Sequence, residues 1–481
     1  MGKLITAAEA AIRRYGTAVR AEEGRMTLQD ELDVKHLWTK ISQQELDGIL
    51  EKHEKFVNGM RDGARAMLGM HDLTYLDMAG RQLSRADFTG ALLCHCNLEG
   101  AILEDANLFA TDLRFTNLID AKLNRVDLRG ACLAGANLSG AMLNDADMRD
   151  GVLLKSAAKG GDLVPITHQR AAAGFEKAIV KGADLSRAKV SDSLIVQTDL
   201  TDCILKHAKF KGANLSHSNL TGCDLEGADF TDANLSGAIF HGAVFTATTL
   251  DNADLSGADL IGAMFDRMDF SKVNLDLANI ARNVADLKLP LQQIIIEHGK
   301  WVKSNGKEGK RADLSKMDLS NQSLAGVNLS AADLSFAVLK GANLSKSEFL
   351  MADFSFADLR GAVLARADLR GAKLARANLT GANMVGAVLS EVNIAVRTGG
   401  AAWRANLENA KLRGAMLNGA VMKNMDMAGA DFRDADLRDA DLSGSKLTDA
   451  NFTDADLRGT KLDKTDTRGA KGLAKNSGDD A

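Results

Sequence analysis

Cysteine, histidine and aspartate side chains are the residues of this 481-residue chain that could do chemistry. The 5 cysteines and 9 histidines could hold a metal ion or supply a nucleophile, but they include no C-x-x-C pair and no His–acid cluster at ligand spacing. Cys203 and Cys223 stand at positions otherwise filled by alanine, which favours small buried side chains over metal ligands. No phosphate loop, nucleophile elbow or dinucleotide fingerprint occurs. The sequence therefore predicts no catalytic, metal or cofactor site and no enzyme.

The bulk composition narrows the function classes further. A formal net charge of −5 lacks the basic excess of a nucleic-acid binder, so we expect no direct nucleic-acid binding. No apolar run is long enough to cross a bilayer as a helix. The small number of cysteines is consistent with a reducing compartment, and we predict a bacterial cytoplasmic protein.

A five-residue repeat organises most of the chain. Its unit is A-[DN]-[LF]-[STR]-G, and we call the Leu/Phe position the centre. The small residue two before the centre and the centre itself point inward, and the Asp or Asn between them points outward. Glycine or a polar residue after the centre makes a corner. Centres recur every five residues from Leu68 to Leu153, Phe175 to Ile280, Leu314 to Ile394 and Leu407 to Leu462.

In its unit and copy number the chain resembles the pentapeptide-repeat family. The resemblance implies an all-β solenoid, a right-handed quadrilateral β-helix in which four units close one coil. The centres suffice for about seventeen coils, which hydrogen-bond to one another about 4.8 Å apart.

Three insertions interrupt the repeat. Residues 154–172 are predicted to form a loop that bulges from one coil, and residues 395–404 a distorted corner or short loop. Residues 281–311 differ, because Leu291–Val302 has helical apolar spacing after Pro290.

The helix predicted in the second insertion matches an N-terminal stretch. His53 aligns with His298 and Phe56 with Trp301, and both stretches precede a run of repeats. Such H-x-x-[WF] helices resemble those that precede repeats in the family. We therefore predict a duplicated unit, a cap helix followed by a solenoid, because a first coil exposes an unpaired backbone edge and an open apolar bore.

These features define the predicted domains. Helices are expected from Thr6 to about Ala21 and from Leu28 to about Lys40, and Ser42–Glu45 is a capping box for the first cap helix. The domains are a helical N-terminal region and cap (1–65), a first solenoid (66–280), an internal cap helix and linker (281–311), a second solenoid (312–462) and a disordered tail (463–481).

Residues twenty apart are expected to stack on one outer face, so exposed columns are candidate partner contacts. Coverage by the N-terminal helices or by an insertion is the alternative for the aromatic columns. Residues 68–153 hold 7 basic and 12 acidic side chains, whereas two like-charge pairs make the second solenoid more basic. The candidate contacts are the aromatic columns Tyr75, His95, Phe115 and Phe336, Phe356, and the basic pairs Lys340, Arg360 and Lys346, Arg366.

Without a catalytic constellation, the sequence favours a non-enzymatic scaffold that presents a rigid surface to a protein partner of unknown identity. The alternative is a DNA mimic that modulates a type II topoisomerase (gyrase), as some members of the resembling family do. The modest charge and the interrupting helix count against that alternative. Homodimerisation through an open coil end also remains open.

Overall fold

A computed structural model describes residues 37–156, 163–165, 174–266, 268, 270–283, 289–394 and 401–473. Within these ranges the backbone pairs in parallel with a register of twenty residues, for example Asp87 with Asn107 and Asp333 with Asp353. Bridges recur every five residues, once in each repeat unit. The chain is therefore a parallel β-solenoid, which confirms the predicted fold class at this level.

Each repeat unit ends in a tight turn. At the first exposed corner the Leu76 N–H donates to the Leu73 carbonyl at 3.0 Å, and Tyr75 has φ 68°. A positive φ at the third residue defines a type II turn and favours glycine there. Side chains at one corner also reach the next coil. The Asp120 carboxylate, for instance, fills the space that a Cβ at Gly140 would need.

The bore of the solenoid is filled by the centres and by the small residues two positions before them. Nearly all of these Leu, Phe and Ala side chains are fully buried. Most polar residues at the small position donate to a carbonyl 23 residues earlier, as Thr111 Oγ1 does to Phe88 at 3.0 Å and Cys203 Sγ does to Val180 at 2.9 Å. Because each buried donor has a partner, these substitutions for alanine are compatible with the core. Cys203 and Cys223 are buried, as predicted.

A similar cap precedes each of the two solenoids. In the first, strand β1 (Thr39–Lys40) pairs in parallel with β2 (His71–Asp72), and helix α1 (Gln43–Val57) follows β1. In the second, β7 (Arg282–Asn283) pairs in parallel with β8 (Met317–Asp318), and α2 (Leu291–Lys303) follows β7.

The start of the first cap differs in part from the prediction. The capping box is present, since Ser42 N–H donates to Glu45 Oε2 at 2.8 Å and Glu45 N–H donates to Ser42 Oγ at 3.3 Å. The helix predicted to run to about Lys40 is wrong at its end, because Thr39 N–H instead donates to the Met70 carbonyl at 3.1 Å. The helix predicted from Thr6 and most of the next lie outside the described residues.

Two of the insertions are hairpins. Strands β3 (Leu154–Ser156) and β4 (Leu163–Pro165) pair antiparallel, as do β9 (Val392–Ile394) and β10 (Ala401–Trp403). The predictions of a bulging loop and of a distorted corner or short loop did not include these paired strands, whose backbone groups satisfy one another. The coils continue across both insertions, with Cys132 paired to Gly174 and Lys373 to Asn406. The remaining strand pair, β5 (Val244–Thr246) with β6 (Met264–Asp266), is parallel and follows the coil register.

The second solenoid extends beyond its predicted end. Bridges join Lys446 to Asp466 and Asn451 to Lys471, so the disordered tail predicted from residue 463 was wrong up to that point. The polar centre Thr467 does not stop the pairing, because backbone hydrogen bonds need no apolar side chain. Residues 474–481 lie outside the described part.

The two solenoids contact one another side by side. Arg376 of the second solenoid forms a bidentate ion pair with Asp202 of the first, with Nη2 2.8 Å from Oδ2. His241 meets the ring of Phe336 edge-on, with ring centroids 5.0 Å apart. Lateral contacts therefore hold the solenoids together in addition to the linking chain.

Candidate functional site: an exposed aromatic ladder

Three aromatic side chains form an exposed stack on one corner of the first solenoid. Tyr75, His95 and Phe115 lie at corners of successive coils, with ring centroids 4.9 and 5.1 Å apart and interplanar angles of 7° and 12°. Tyr75 and Phe115 are 74% and 58% exposed, and His95 is exposed as well. We call these three residues the aromatic ladder. The twenty-residue register sets its spacing, as the sequence predicted for this column.

The stacking decides which ring surfaces a partner could reach. Both faces of His95 are taken by its neighbours in the ladder. Phe115 lies over the corner of Gly135, where a Cβ would be 2.5 Å from the Phe115 Cε1 atom. Of the three ladder rings, only Tyr75 keeps a face that has no stacking partner among the described residues. The ladder therefore presents mainly ring edges, which suits packing against another protein surface better than intercalation of a planar ligand.

Carboxylates without a cationic partner flank the ladder. Asp72 and Asp77 lie on either side of the Tyr75 corner, and Glu99 follows the His95 corner. None of the three forms an ion pair in the part of the chain that the structure describes. The surface around the ladder is therefore apolar and negatively charged.

Elsewhere on the surface, aspartates are commonly neutralised by an arginine two residues later. Arg114 Nε and Nη2, for example, donate to the two oxygens of Asp112 at 2.9 and 2.6 Å. Hydrogen bonds from Arg468 help to lower the pKa of Asp466 to about 2. The bidentate pairs are Asp112–Arg114, Asp127–Arg129, Asp147–Arg149, Asp358–Arg360, Asp368–Arg370, Asp431–Arg433, Asp436–Arg438, Asp456–Arg458 and Asp466–Arg468.

The second aromatic column is covered by the first solenoid. Phe336 and Phe356 stack with centroids 4.9 Å apart, and His241 meets both rings edge-on. Arg376 lies over the outer ring, 5.7 Å from the Phe356 centroid. Interpreting this phenylalanine pair as an open partner contact was therefore wrong, because its outer surface faces Gly242 and its neighbours within the same chain.

The four basic candidate contacts also differ in whether a partner could reach them. Lys340, Lys346 and Arg366 are exposed. Arg360 instead donates to Asp358, with Nη2 2.7 Å from Oδ2, and the Asp358 side chain is only 2% exposed. Arg360 is thus held in a buried ion pair and was wrongly grouped with the free surface cations.

The two cap histidines act as hydrogen-bond acceptors inside the protein. His53 Nδ1 accepts from the Ala66 N–H at 3.1 Å, and His298 Nδ1 accepts from the Ala312 N–H at 3.0 Å. Both side chains are fully buried, and burial lowers the pKa of each. Their rings stack on the two remaining cap candidates, Phe56 at 5.9 Å and Trp301 at 5.6 Å.

The described residues offer little for catalysis. They contain no group of three or more His, Cys, Asp or Glu side chains placed to hold a metal ion. Burial raises the pKa of the Cys94 and Cys96 thiols to about 12, so both stay protonated near neutral pH. No helix in the described ranges has the length and hydropathy needed to span a membrane.

Sequence reasoning missed the contact between the solenoids. Asp202 and Arg376 are 174 residues apart, and although each stands two residues after a centre, the repeat period does not pair them. A Phe–Phe column beside an arginine was visible in the sequence, but nothing marked His241 or the corner glycines as its cover.

Comparison with known proteins identifies a repeat family. A family model described as pentapeptide repeats matches residues 82–150, 183–276, 310–349, 352–390 and 405–471. These ranges make up well over half of the chain. No curated protein matches the chain.

Several solved structures are similar in sequence. HetL, a pentapeptide repeat protein involved in heterocyst differentiation regulation in the cyanobacterium Nostoc, is 26% identical over 70% of this chain and 89% of its own, with a TM-score of 0.16. A pentapeptide repeat protein of the Arabidopsis thaliana thylakoid lumen is 33% identical over 29% of this chain and 68% of its own, with a TM-score of 0.14. QnrB1, a plasmid-mediated fluoroquinolone resistance protein, is 18% identical over 43% of this chain and 92% of its own, with a TM-score of 0.18.

Proposed function

Because the chain belongs to the pentapeptide-repeat family, we propose that it is a non-enzymatic scaffold whose β-solenoid presents a rigid surface to a protein partner. The exposed aromatic ladder carries the proposal. Aromatic side chains are enriched at protein interfaces, and they lose little conformational entropy when a stack already fixes their rotamers. Corner positions on a hydrogen-bonded solenoid hold the rings at a constant spacing.

The architecture proposed for this scaffold is a right-handed quadrilateral β-helix of about seventeen coils in two capped segments. The twenty-residue register with a bridge every five residues supports it, because four units then fill one coil. The similar strand-and-helix caps support the domain division into 1–65, 66–280, 281–311 and a second solenoid from 312. A cytoplasmic location remains a prediction from the cysteine content.

Affinity purification tests the scaffold role. The tagged full chain is expressed in cells of the native organism and compared with the Tyr75→Ala/Phe115→Ala variant. We expect a partner to be recovered with the native chain and depleted at least about tenfold with the variant, since truncating central aromatic contacts commonly costs 2 kcal/mol or more. Leu277→Ala is the matched control, because Leu277 occupies the same corner column far from the ladder and is 95% exposed. Recovery of the same proteins by all three chains would refute the ladder as the contact.

Charge pairing favours the scaffold over the DNA mimic. A mimic needs a long surface of uncompensated negative charge, whereas many aspartates of this surface are paired with arginine. The two proposals differ in a supercoiling assay with gyrase. The scaffold proposal expects no inhibition and no protection from quinolones at micromolar protein, and either effect would favour the mimic.

A further inference from the structure

We propose that the aromatic ladder of one chain docks on the second solenoid of another copy, so that the protein self-associates head to tail. This inference rests on the proposed role of the ladder as a contact surface, and it names a second copy of this chain as one partner. Three observations support it: a contact of the same kind inside the chain, a matching row of free corners, and opposite charges beside the two surfaces.

The chain already contains an aromatic column docked on a glycine corner. The Phe336 ring lies against the corner of Gly262, where a Cβ would be 3.1 Å from its Cδ1 atom. The Phe356 ring approaches Gly242 in the same way, at 3.3 Å. Rings stacked at the coil spacing thus sit side by side on glycine corners, which have the same spacing and carry no side chain to hold the rings away.

A second row of corners in the chain could accept the aromatic ladder. Gly361, Gly381 and Gly414 occupy one corner of three successive coils, are exposed, and have no atom within 4 Å of the place where a Cβ would be. We call them the glycine corner. Three free corners match the three rings of the ladder in number. Because both rows follow the same backbone register, they also match in spacing.

The surface beside the glycine corner is apolar and ends in positive charge. Val363 and Val385 follow the corner along the coil, and Met416 on the same face is 42% exposed. The next corner carries Lys346 and Arg366, both exposed and without an ion pair in the described ranges.

The two surfaces have complementary charges. The ladder is flanked by Asp72, Asp77 and Glu99, which likewise lack cationic partners in the described chain. Ring edges would then meet valine and methionine side chains while the carboxylates approach the lysine and arginine. This arrangement resembles the internal contact, in which Arg376 bonds Asp202 beside the phenylalanine pair.

The geometry determines the kind of assembly. The ladder and the glycine corner are different surfaces, so each copy keeps one of them free after a single contact. Such a heterologous contact gives rings or open chains rather than a closed two-fold dimer.

Sedimentation velocity of the full chain over a wide concentration range tests the proposal. We expect the native protein to grow beyond a dimer as its concentration rises, and to do so less at high salt because the charges are screened. Tyr75→Ala/Phe115→Ala should weaken association at least about tenfold. Gly361→Asn should weaken it equally, because asparagine tolerates the positive φ found here while its side chain fills the corner.

Mixing the two variants gives a sharper test. The ladder variant keeps an intact glycine corner and the Gly361→Asn chain keeps an intact ladder, so the mixture should form a heterodimer that grows no further. Gly182→Asn is the matched control, since Gly182 is an equally open corner of the first solenoid, and it should associate like the native chain.

Three results would overturn the proposal: a native chain that stays monomeric, variants that associate like the native chain, or a dimer that none of the substitutions affects. The last result would be expected if the contact lay elsewhere, for example at the open final coil. The scaffold role is tested separately by affinity purification. If the ladder variant loses a different protein partner there, the scaffold role stands even when self-association is refuted.

Discussion

Lowering the pH should loosen the cap of the second solenoid through His298. Its Nδ1 accepts the Ala312 N–H, so the neutral ring carries its proton on Nε2. Protonation would add a hydrogen to Nδ1, where it would face the N–H of Ala312. The His298 side chain has no exposed surface at which water could solvate the charge. Burial and this geometry both disfavour the charged ring, in agreement with its lowered pKa.

The sign and size of the effect follow from linkage. In the closed cap the His298 pKa lies below the ordinary value of 6.5, whereas in the opened cap it returns to that value. The open state therefore binds more protons in mildly acidic solution. The stabilisation from the neutral ring is complete above pH 6.5 and is lost as the pH falls below it. If the closed ring stays neutral throughout, the loss between about pH 7.5 and pH 5.5 reaches its upper limit of about 1.4 kcal/mol, a factor of ten in the opening equilibrium.

Hydrogen–deuterium exchange at the Ala312 amide measures this opening directly. After correction for intrinsic exchange, protection should fall by up to about tenfold over that pH range. In His298→Asn the amide oxygen can still accept the Ala312 N–H but cannot be protonated, so protection should not depend on pH. The Ala66 amide, bonded to His53, should keep its pH dependence in the same variant and serves as an internal control. Equal pH dependence of the Ala312 amide in both proteins would refute the reasoning.

Two further predictions concern the contact between the solenoids and the corner rule. Asp202→Arg should weaken the lateral contact by about 1 kcal/mol, and adding Arg376→Asp should restore it. Distances between spin labels on the two solenoids measure this contact. The prediction fails if the single variant keeps the native distances. Gly469→Ala should destabilise the last coils more than Gly419→Ala, because the Asp449 carboxylate occupies only the first Cβ position. Both alanines share the cost of a positive φ, about 1 kcal/mol, so equal loss of amide protection would contradict the corner rule.

The sequence was sufficient for features that depend on the repeat period. Alternation along an extended unit places Leu185 and Ala183 inside and Asp184 outside whatever the rest of the chain does. The same period aligned Tyr75 with His95 and Phe115, since neighbours in a column are always one coil apart. The helix after Pro290 was also predictable, because it has its own apolar spacing.

Features that depend on contacts between distant segments were not predictable. The partial burial of Phe336 comes from His241 and Gly262 on the other solenoid, which no local pattern connects to it. The residues of β1 were predicted as helix because their strand partner, β2, lies about thirty residues later in the first coil, and no local pattern marks that pairing. The two hairpins were missed because their strands are only three residues long, and because the period assigned Ile394 of β9 to a coil as a centre.

Photo-crosslinking from the ladder in cells of the native organism tests the scaffold function most directly. A photoreactive phenylalanine analogue replaces His95, whose ring lies in the middle of the ladder, and the same analogue replaces Leu277 in a control chain. We predict a discrete protein adduct from position 95 that position 277 does not give, and mass spectrometry then shows whether the adduct is another protein or a second copy. No adduct from position 95, or the same adducts from both positions, would contradict the assignment of the ladder as the contact surface.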